Sequence, residues 1–249
     1  MCRHLAYLGP QATLQSVLTE PPYGLLRQSW APRQQRHGTV NADGFGVGWY
    51  ADGDPVPARY RRALPMWGDA SFADLVRVTR TRALLAAVRS ATDGTAQVEA
   101  AAAPYAAGSW LFSHNGTLDG WPGSTAGLAA TLPAAELLAL EARADSALAW
   151  ALVLHRLQAG ESPADALAGT VGDLDAAGIT GRFNFLLTDG TAIAATAVGD
   201  TLCYRCQPGQ VVVASEPFDD EPGWVSVADR TVLIARPGVV DTGPLKPAG

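Results

Sequence analysis

The segment RFNFLLTDGTAIAATAVGDTLCYRCQPGQVVVAS, residues 182–215, decides the fold class of this chain. It contains four short β-like runs in close succession, and Gly, Asp or Pro residues separate each run from the next. A fifth run of the same kind, TVLIAR, follows at 231–236. This spacing is typical of a meander of antiparallel strands.

Earlier parts of the chain supply further strands and a group of helices. Because strands come first, helices cluster in the middle and strands return, the order predicts packed antiparallel sheets covered by helices, not alternating βαβ units. The Ala-rich segment at 98–108 is predicted to be a surface loop or a frayed turn. The additional strands are predicted at 3–9, 46–50, 83–89 and 109–115. The helices are predicted at 69–79, 144–158 and 162–178.

Composition limits the classes of protein and partner. The chain has 249 residues, 48% of them hydrophobic, and no composition break, so we expect a single domain over 1–249. A net charge of −6 without a Lys/Arg run disfavours nucleic acid and anionic membranes as partners. No apolar run approaches the roughly 18 residues of a membrane span, and no secretion signal opens the chain. We therefore expect a cytoplasmic protein.

Cys2 follows the initiator Met1 directly. Removal of Met1 would leave a thiol, of ordinary pKa about 8.5, and a free α-amine, of pKa about 7.7–8.0, on one residue. Near neutral pH such an amine can accept the proton of the thiol, so that Cys2 would supply both nucleophile and base. The alternative is that Cys2 is a small hydrophobic residue at the start of an edge strand.

Polar residues at the ends of predicted strands are further candidates for a catalytic site. Asn115 and Gly116 follow an apolar run, and an amide side chain with a free backbone N–H suits an oxyanion hole. The alternative is an Asn-Gly hairpin turn. Arg89 can bind a carboxylate in a bidentate manner, or serve as a structural ion-pair partner. Asp145 can receive an ammonium group, or cap the predicted helix.

Cysteine spacing raises a second class of function. Cys203 and Cys206 form a C-x-x-C pair, and Cys2 with His4 could complete a four-ligand metal site. The pair lies in a β-like run without turn glycines, which disfavours this interpretation. The total of three cysteines is odd, which argues against a disulfide framework.

Taken in order, these segments resemble the class II glutamine amidotransferases, the N-terminal-nucleophile hydrolases that begin at Cys after Met removal. The resemblance implies an α+β fold, a four-layer αββα sandwich of two antiparallel sheets flanked by helices. Within this family the chain is most similar to stand-alone amidohydrolases that remove the γ-glutamyl group from γ-glutamyl-hercynylcysteine S-oxide in ergothioneine biosynthesis. The segments that carry the resemblance are MCRHLAYLG, NADGFGVGWY, VRSAT, SHNG, ADSA and VVVASEPFDD.

The resemblance also implies roles for individual residues. Cys2 would attack the γ-glutamyl carbonyl, and Asn115 with Gly116 would hold the oxyanion. Arg89 would bind the α-carboxylate of the glutamyl headgroup and Asp145 its α-ammonium. Hydrolysis of the resulting thioester by water would complete the reaction, because no second domain is expected to receive ammonia.

Other residues receive supporting roles from the same resemblance. Thr92, Asn41 and Asp43 would make supporting hydrogen bonds near the substrate, and Ser215 and Glu216 would lie within reach of the leaving group. The expected partner is a small-molecule γ-glutamyl substrate, with neither a cofactor nor a metal.

The leaving group of that substrate carries a quaternary ammonium. Tryptophan faces or the acidic stretch Asp219, Asp220 and Glu221 could bind it. His37 and His114 are predicted to be structural. A rival interpretation, a glutaminase subunit that feeds a separate synthetase, shares every catalytic residue named here. Only substrate preference or a stable partner separates the two.

Overall fold

Two antiparallel β-sheets pack face to face between layers of helices, in a computed structural model that describes residues 2–245. The predicted α+β class and its two antiparallel sheets are therefore confirmed. Within the described range the strands are β1 (Arg3–Thr13), β2 (Phe45–Trp49), β3 (Ala58–Arg62), β4 (Arg80–Val88), β5 (Tyr105–Ala107), β6 (Trp110–Leu118), β7 (Gly181–Thr188), β8 (Ile193–Ala197), β9 (Cys203–Gln207), β10 (Gln210–Ala214), β11 (Trp224–Ser226), β12 (Thr231–Arg236) and β13 (Val239–Pro244).

The helices of the same range fall mainly before β4 and between the two groups of strands. They are α1 (Leu14–Leu18), α2 (Leu25–Gln28), α3 (Phe72–Val78), α4 (Ala126–Ala129), α5 (Ala134–Leu138), α6 (Asp145–Gln158) and α7 (Pro163–Ala176). Short 3-10 helices cover Met66–Gly68 and Glu99–Ala101.

The N-terminal strand β1 lies in the middle of the first sheet, whose order is β11-β9-β10-β1-β4-β2-β3. The second sheet has the order β13-β12-β8-β7-β6-β5. Every strand pair in both sheets is antiparallel. Since β1 has a hydrogen-bonded neighbour on each side, the alternative that Cys2 precedes an edge strand is wrong.

Alternation along β1 divides its side chains between two apolar layers. Leu5 and Tyr7 pack against the first helices, whereas Ala6 and Leu8 pack between the sheets. This period of two follows from strand geometry, in which successive side chains point to opposite faces. Cys2 and His4 therefore share the inter-sheet face, and Arg3 lies on the outer face.

Helices α6 and α7 cover the outer face of the second sheet, where they share one apolar cluster with Phe183 and Phe185. Helix α7 starts at a favourable sequence signal, because the Ser162 hydroxyl accepts from the Asp165 N–H (3.2 Å) and Pro163 occupies the first turn.

The Ala-rich segment 98–108 is not the surface loop that its composition predicts. Ala101, Ala102 and Tyr105 are buried, and Tyr105 begins the edge strand β5. Small side chains let this segment lie against Gly46, where an added Cβ would meet the Ala103 carbonyl oxygen. The prediction was wrong because small side chains can be buried wherever a neighbouring glycine admits a close backbone approach.

Among the described residues no helix combines the length and the apolar character needed to cross a membrane.

The close approach at Gly46 gives a stability prediction. We expect Gly46→Ala to lower the free energy of unfolding by about 1–3 kcal/mol, because backbone atoms must shift to admit the methyl group. The control is Gly172→Ala within α7, where an added Cβ meets nothing within 4 Å and should raise that free energy by about 0.5–1 kcal/mol. Urea titration of both variants measures the effect, and equal stabilities for the two would contradict the packing argument.

Candidate active site

Three adjacent strands of the first sheet bring the ends of their chain segments together. Cys2 precedes β1, Arg89 follows β4 and Ser215 follows β10. Arg3 pairs with Val88 in the β1–β4 ladder, so Cys2 lies opposite Arg89 when that register is extended by one residue. The Ser215 N–H donates to the His4 carbonyl on the other side (2.9 Å).

The Cys2 thiol is half-buried, and its Sγ lies 3.7 Å from the carbonyl oxygen of Ser90. It faces the second sheet, as the alternation along β1 requires. The predicted removal of Met1, which would free the α-amine, concerns a residue outside the described range.

Asn115 and Gly116 lie inside β6 and pair with Asn184 and Phe183 of β7. They do not form a turn, so the hairpin alternative is wrong, and so is the prediction that they follow the strand. The Asn115 Nδ2 donates to the Ser215 Oγ (3.2 Å) and retains a second hydrogen for another acceptor.

Residue 116 must be glycine for steric reasons. A Cβ at this position would collide with the carbonyl oxygen of Arg182 and approach the imidazole of His114. The absent side chain lets β6 pack tightly against β7 at the point where Asn115 faces Ser215.

Arg89 is buried and has no carboxylate partner within the described part of the chain. Its Nη1 donates to the Asp43 carbonyl (3.3 Å), and its Nη2 donates to the Thr95 hydroxyl (2.9 Å) and the Ala96 carbonyl (3.1 Å). These neutral acceptors orient the guanidinium without neutralising it. The alternative of a structural ion pair is therefore wrong, and the arrangement suits a carboxylate supplied by a ligand.

Asp145 is also buried, and it is the first residue of α6. Its Oδ2 accepts from the Thr92 hydroxyl (3.1 Å) and the Leu118 N–H (3.2 Å), while its Oδ1 accepts from the Ser146 N–H (2.8 Å). The cap position belongs to Ala144, which makes no side-chain bond, so the N-cap alternative is wrong. Nothing charged pairs with this carboxylate between residues 2 and 245.

Two threonines connect Arg89 with Asp145. The Thr95 hydroxyl, which accepts from Arg89, donates to the Thr92 carbonyl (2.6 Å), and the Thr92 hydroxyl donates to the Asp145 Oδ2 (3.1 Å). A zwitterionic amino-acid headgroup needs one partner of each sign, and both are present here.

Asp43, in the loop that precedes β2, contacts Arg89, whereas Asn41 of the same loop makes its hydrogen bonds to Gln28 and Gln35. The Asp43 Oδ2 accepts from the Ala91 N–H (2.8 Å), and the Asp43 N–H donates to the Arg89 carbonyl (2.9 Å). The buried Asn41 donates to the carbonyl of Gln28 and to the Gln35 side chain, both at 2.9 Å.

Ser215 and Glu216 are both fully buried, and their contacts favour positioning roles over the predicted contact with a leaving group. The Ser215 Oγ accepts from the His4 N–H (3.0 Å) and from Asn115. The Glu216 carboxylate accepts from the N–H groups of Arg33 and Gln34, both at 2.8 Å. These bonds hold other residues in place, and contact of the pair with a leaving group stays a prediction.

Arg3 is a site residue that sequence reasoning missed. It is buried directly after Cys2, with its Nε 3.3 Å from the Gln35 Oε1 and 4.0 Å from the Glu216 Oε2. Its Nη2 lies 3.8 Å from the Asp200 Oδ1. The signal in the sequence was an arginine within a strand of otherwise apolar residues. A buried charge at such a position requires partners on the same face of the sheet.

Two buried histidines lie beneath the site. The His4 Nδ1 lies 3.1 Å from the Ser113 Oγ, and burial, with the Arg3 charge adding to it, lowers the His4 pKa to about 3. Burial likewise lowers the pKa of His114, whose Nε2 lies 2.8 Å from the Arg182 carbonyl oxygen. His114 fits the predicted structural role, whereas His37 is exposed.

The C-x-x-C pair does not converge on one point. Cys203 belongs to the apolar layer beneath the first helices, and Cys206 packs against the layer between the sheets. Burial raises the pKa of the Cys203 thiol, which disfavours the thiolate form that metals require. No group of three or more His, Cys, Asp or Glu side chains suited to a metal occurs in the described range.

Comparisons with known proteins agree with this geometry. The family model "Glutamine amidotransferases class-II" matches residues 22–247. Two curated relatives carry the name gamma-glutamyl-hercynylcysteine sulfoxide hydrolase. The relative from Mycolicibacterium smegmatis is 42% identical over 98% of this chain and 100% of its own length. The relative from Mycobacterium tuberculosis is 43% identical over 97% of this chain and 96% of its own length.

Solved structures show the same fold at lower identity. A glutamine aminotransferase class-II domain protein from Silicibacter pomeroyi superposes with a TM-score of 0.72 at 21% identity, and 99% of this chain and 100% of that one are covered. Glutamine phosphoribosylpyrophosphate amidotransferase from B. subtilis gives 0.68 at 14% identity, covering 98% of this chain and 49% of its own.

The unneutralised guanidinium gives a binding prediction. We expect Arg89→Ala to weaken binding of L-glutamate by about 2–5 kcal/mol, because a desolvated cation loses its anionic partner. The control is Arg82→Ala in β4, the strand that Arg89 follows. Arg82 is exposed, its Nε lies 3.7 Å from Asp52, and its removal should leave binding unchanged. Isothermal titration calorimetry measures both, and an unchanged dissociation constant for Arg89→Ala would refute the headgroup assignment.

The neutral His4 gives a prediction for acid stability. Its folded pKa of about 3 lies below the ordinary value of 6.5, so the unfolded chain binds a proton more readily as pH falls through this window. Its contribution is complete above pH 6.5 and is lost progressively toward pH 3.

We therefore expect His4→Asn to flatten the fall in the free energy of unfolding between pH 6.5 and about 4. Removing one proton-linked group changes that slope by at most about 1.4 kcal/mol per pH unit. Denaturant titrations of the variant and of the wild type at several pH values measure it. A His4→Asn variant with the full wild-type slope would show that His4 does not carry this linkage.

Proposed function

The chain belongs to the class II glutamine amidotransferase family, and on that premise we propose that it hydrolyses the γ-glutamyl amide of γ-glutamyl-hercynylcysteine S-oxide. The products are glutamate and hercynylcysteine S-oxide, in ergothioneine biosynthesis. The observation that carries the proposal is 42% identity to the hydrolase from Mycolicibacterium smegmatis over 98% of this chain. Arg89 and Asp145, which have no charged partner in the described part of the chain, support it, since a γ-glutamyl headgroup presents one carboxylate and one ammonium.

Binding of the headgroup comes first in the proposed mechanism. The α-carboxylate lies against Arg89, and the α-ammonium lies against Asp145, which Thr92 and the Leu118 N–H hold in place. Both protein charges are already desolvated and oriented, so little reorganisation is needed when the substrate enters. This fixes the γ-carbonyl of the substrate at Cys2.

Covalent chemistry follows on the Cys2 thiol once Met1 has been removed. The α-amine accepts the thiol proton, and Sγ attacks the γ-carbonyl carbon to give a tetrahedral oxyanion. The Asn115 Nδ2 and the Gly116 N–H donate to that oxygen. Collapse breaks the C–N bond, the α-ammonium returns its proton to the leaving amine, and water then hydrolyses the thioester to glutamate.

The proposal includes the setting in which the reaction occurs. The catalytic unit is one domain over residues 1–249, and it acts in the cytoplasm on a small molecule. A net charge of −6 supports the exclusion of nucleic acid and anionic membranes as partners.

A glutaminase that supplies ammonia to a separate synthetase is the alternative. A relative from Saccharomyces cerevisiae, named as a probable glutamine amidotransferase, supports this alternative. It is 26% identical over 98% of this chain and 84% of its own length. The two functions share the headgroup slot, which we define by Arg89 and Asp145. They differ in the group that leaves.

The test compares two substrates on N-terminally processed protein, checked by intact-mass analysis for loss of Met1. We expect kcat/KM for glutamate release from γ-glutamyl-hercynylcysteine S-oxide to exceed that from glutamine by more than about a hundredfold, since an enzyme that uses leaving-group contacts discriminates on that scale. Cys2→Ala should abolish release, while the buried Cys203→Ala should retain most of it. A preference for glutamine supports the glutaminase, and equal losses in both variants would exclude Cys2 as the nucleophile.

A further inference from the structure

The order of the strands defines the side of Cys2 on which a leaving group must lie. Arg89 follows β4, and Asp145 accepts a hydrogen bond from the Leu118 N–H at the end of β6. The headgroup that these two residues bind therefore lies on the β4 side of Cys2. The other neighbour of β1 is β10, followed by β9 and β11. A linear substrate with its γ-carbonyl at Cys2 therefore extends its leaving group toward β10, β9 and β11.

A polar cavity of about 270 Å³ lies on that side. Its walls come from residues 199–202 before β9, from residues 226–229 after β11, and from Gln34 and Arg36 of the loop before β2. None of these residues belongs to the headgroup slot. The cavity is therefore separate from the headgroup slot. Its lining segments lie on the β10 side of Cys2, opposite to Arg89.

Direct hydrogen bonds connect this cavity to the catalytic strand. Arg3, the residue after Cys2, donates from Nη1 to the Thr201 hydroxyl (3.3 Å). The same Thr201 hydroxyl donates to the Ser215 carbonyl (2.7 Å), and Ser215 holds Asn115. The cavity wall is thus fixed relative to the nucleophile and to the amide proposed for the oxyanion hole.

The loop that carries Arg36 is anchored although most of its residues are exposed. The buried Glu216 accepts from the N–H groups of Arg33 and Gln34, and the Gln35 side chain accepts from Arg3. These bonds hold the backbone before Gln35 and the Gln35 side chain itself. Arg36 is the next residue, so it follows directly on an anchored segment.

The charges around the cavity are open to a ligand. Arg36 and Asp229 form no ion pair with any residue between 2 and 245, and Asp229 Oδ1 accepts from the Gly199 N–H (2.7 Å). By contrast, Asp219 pairs with Arg205 (2.7 Å) and Asp220 with Arg33 (3.0 Å). Two of the three carboxylates in the acidic stretch that the sequence offered for a quaternary ammonium are therefore already engaged.

We infer that this cavity is the leaving-group subsite, with Arg36 binding a carboxylate of the departing amino acid and Asp229 facing its quaternary ammonium. The inference rests on the proposed function, since it assigns the part of that substrate that lies beyond the scissile amide. A zwitterionic leaving group presents both signs of charge, and the cavity lining offers one of each outside any ion pair of the described range, Arg36 and Asp229. The third charged residue of the lining, Asp200, lies 3.8 Å from Arg3.

The experiment separates contacts with the headgroup from contacts with the leaving group. Glutamine and γ-glutamyl-hercynylcysteine S-oxide share the headgroup, but glutamine releases only ammonia. We expect Arg36→Gln and Asp229→Asn each to lower kcat/KM for the S-oxide roughly tenfold or more, mainly through KM, because each removes a charge-assisted contact. Activity on glutamine should stay unchanged, which also reports that the variants are folded.

Arg33→Gln is the matched control. Arg33 lies in the same loop, but its exposed guanidinium pairs with Asp220 and does not line the cavity. Both substrates should be turned over by this variant as by the wild type. A loss specific to the S-oxide in Arg33→Gln would show that general loop charge, not the cavity, selects the substrate, and would overturn the assignment.

Direct binding provides an independent measurement. In a Cys2→Ala background, calorimetry with hercynylcysteine S-oxide should show weaker binding when Arg36→Gln is added. Unchanged affinity in that variant, or equal effects on both substrates in the kinetic experiment, overturns the subsite while leaving the proposed function standing. If wild-type protein does not hydrolyse the S-oxide, the proposed function fails first, and the subsite fails with it.

Discussion

The site depends on one constraint, which is that β1 is hydrogen-bonded on both sides. Leu5 pairs with Ala214 of β10 and with Ala86 of β4, so the residue before the strand has a fixed neighbour on each flank. A slip of one residue in either ladder would move the side chain of Cys2 to the outer face of the sheet. The central position of β1 thus means that the register of its two ladders fixes the face on which the Cys2 side chain lies.

The same alternation explains why a fully buried arginine follows Cys2. Cys2 and His4 take the inter-sheet face, which leaves Arg3 on the outer face with Glu216. A buried charge without partners costs several kcal/mol or more, so the pair is stable only with further hydrogen bonds. The loop before β2 supplies them, through two N–H groups to Glu216 and the Gln35 side chain to Arg3. The buried Arg3 and Glu216 therefore need the loop for their hydrogen bonds, and the same bonds anchor the loop.

Sequence reasoning recovered the central strands and missed the edges. The central strands carry continuous apolar runs because both faces are covered, and those runs are visible without a structure. The strands β3, β5, β11 and β13 are the four edge strands of the two sheets, and they carry few buried residues, so their patterns resemble loops. Asn115 and Gly116 were predicted to follow a strand, but they lie inside β6. The steric demand that selects Gly116 comes from the neighbouring β7 and not from local conformation, so the sequence does not show it.

Residues of the headgroup slot do not distinguish a hydrolase from an ammonia-supplying glutaminase, because both must hold the same carboxylate and ammonium. Structural neighbours at 14–21% identity share the fold and so leave the question open. What differs between the two functions is the volume and charge beyond the scissile bond. In this chain that flank is built from loops and strand ends, which carry no periodic signal, so composition and spacing could not reveal it. Strand order does reveal it, because fixing the headgroup on the β4 side of Cys2 leaves the β10 side as the direction in which a linear substrate continues.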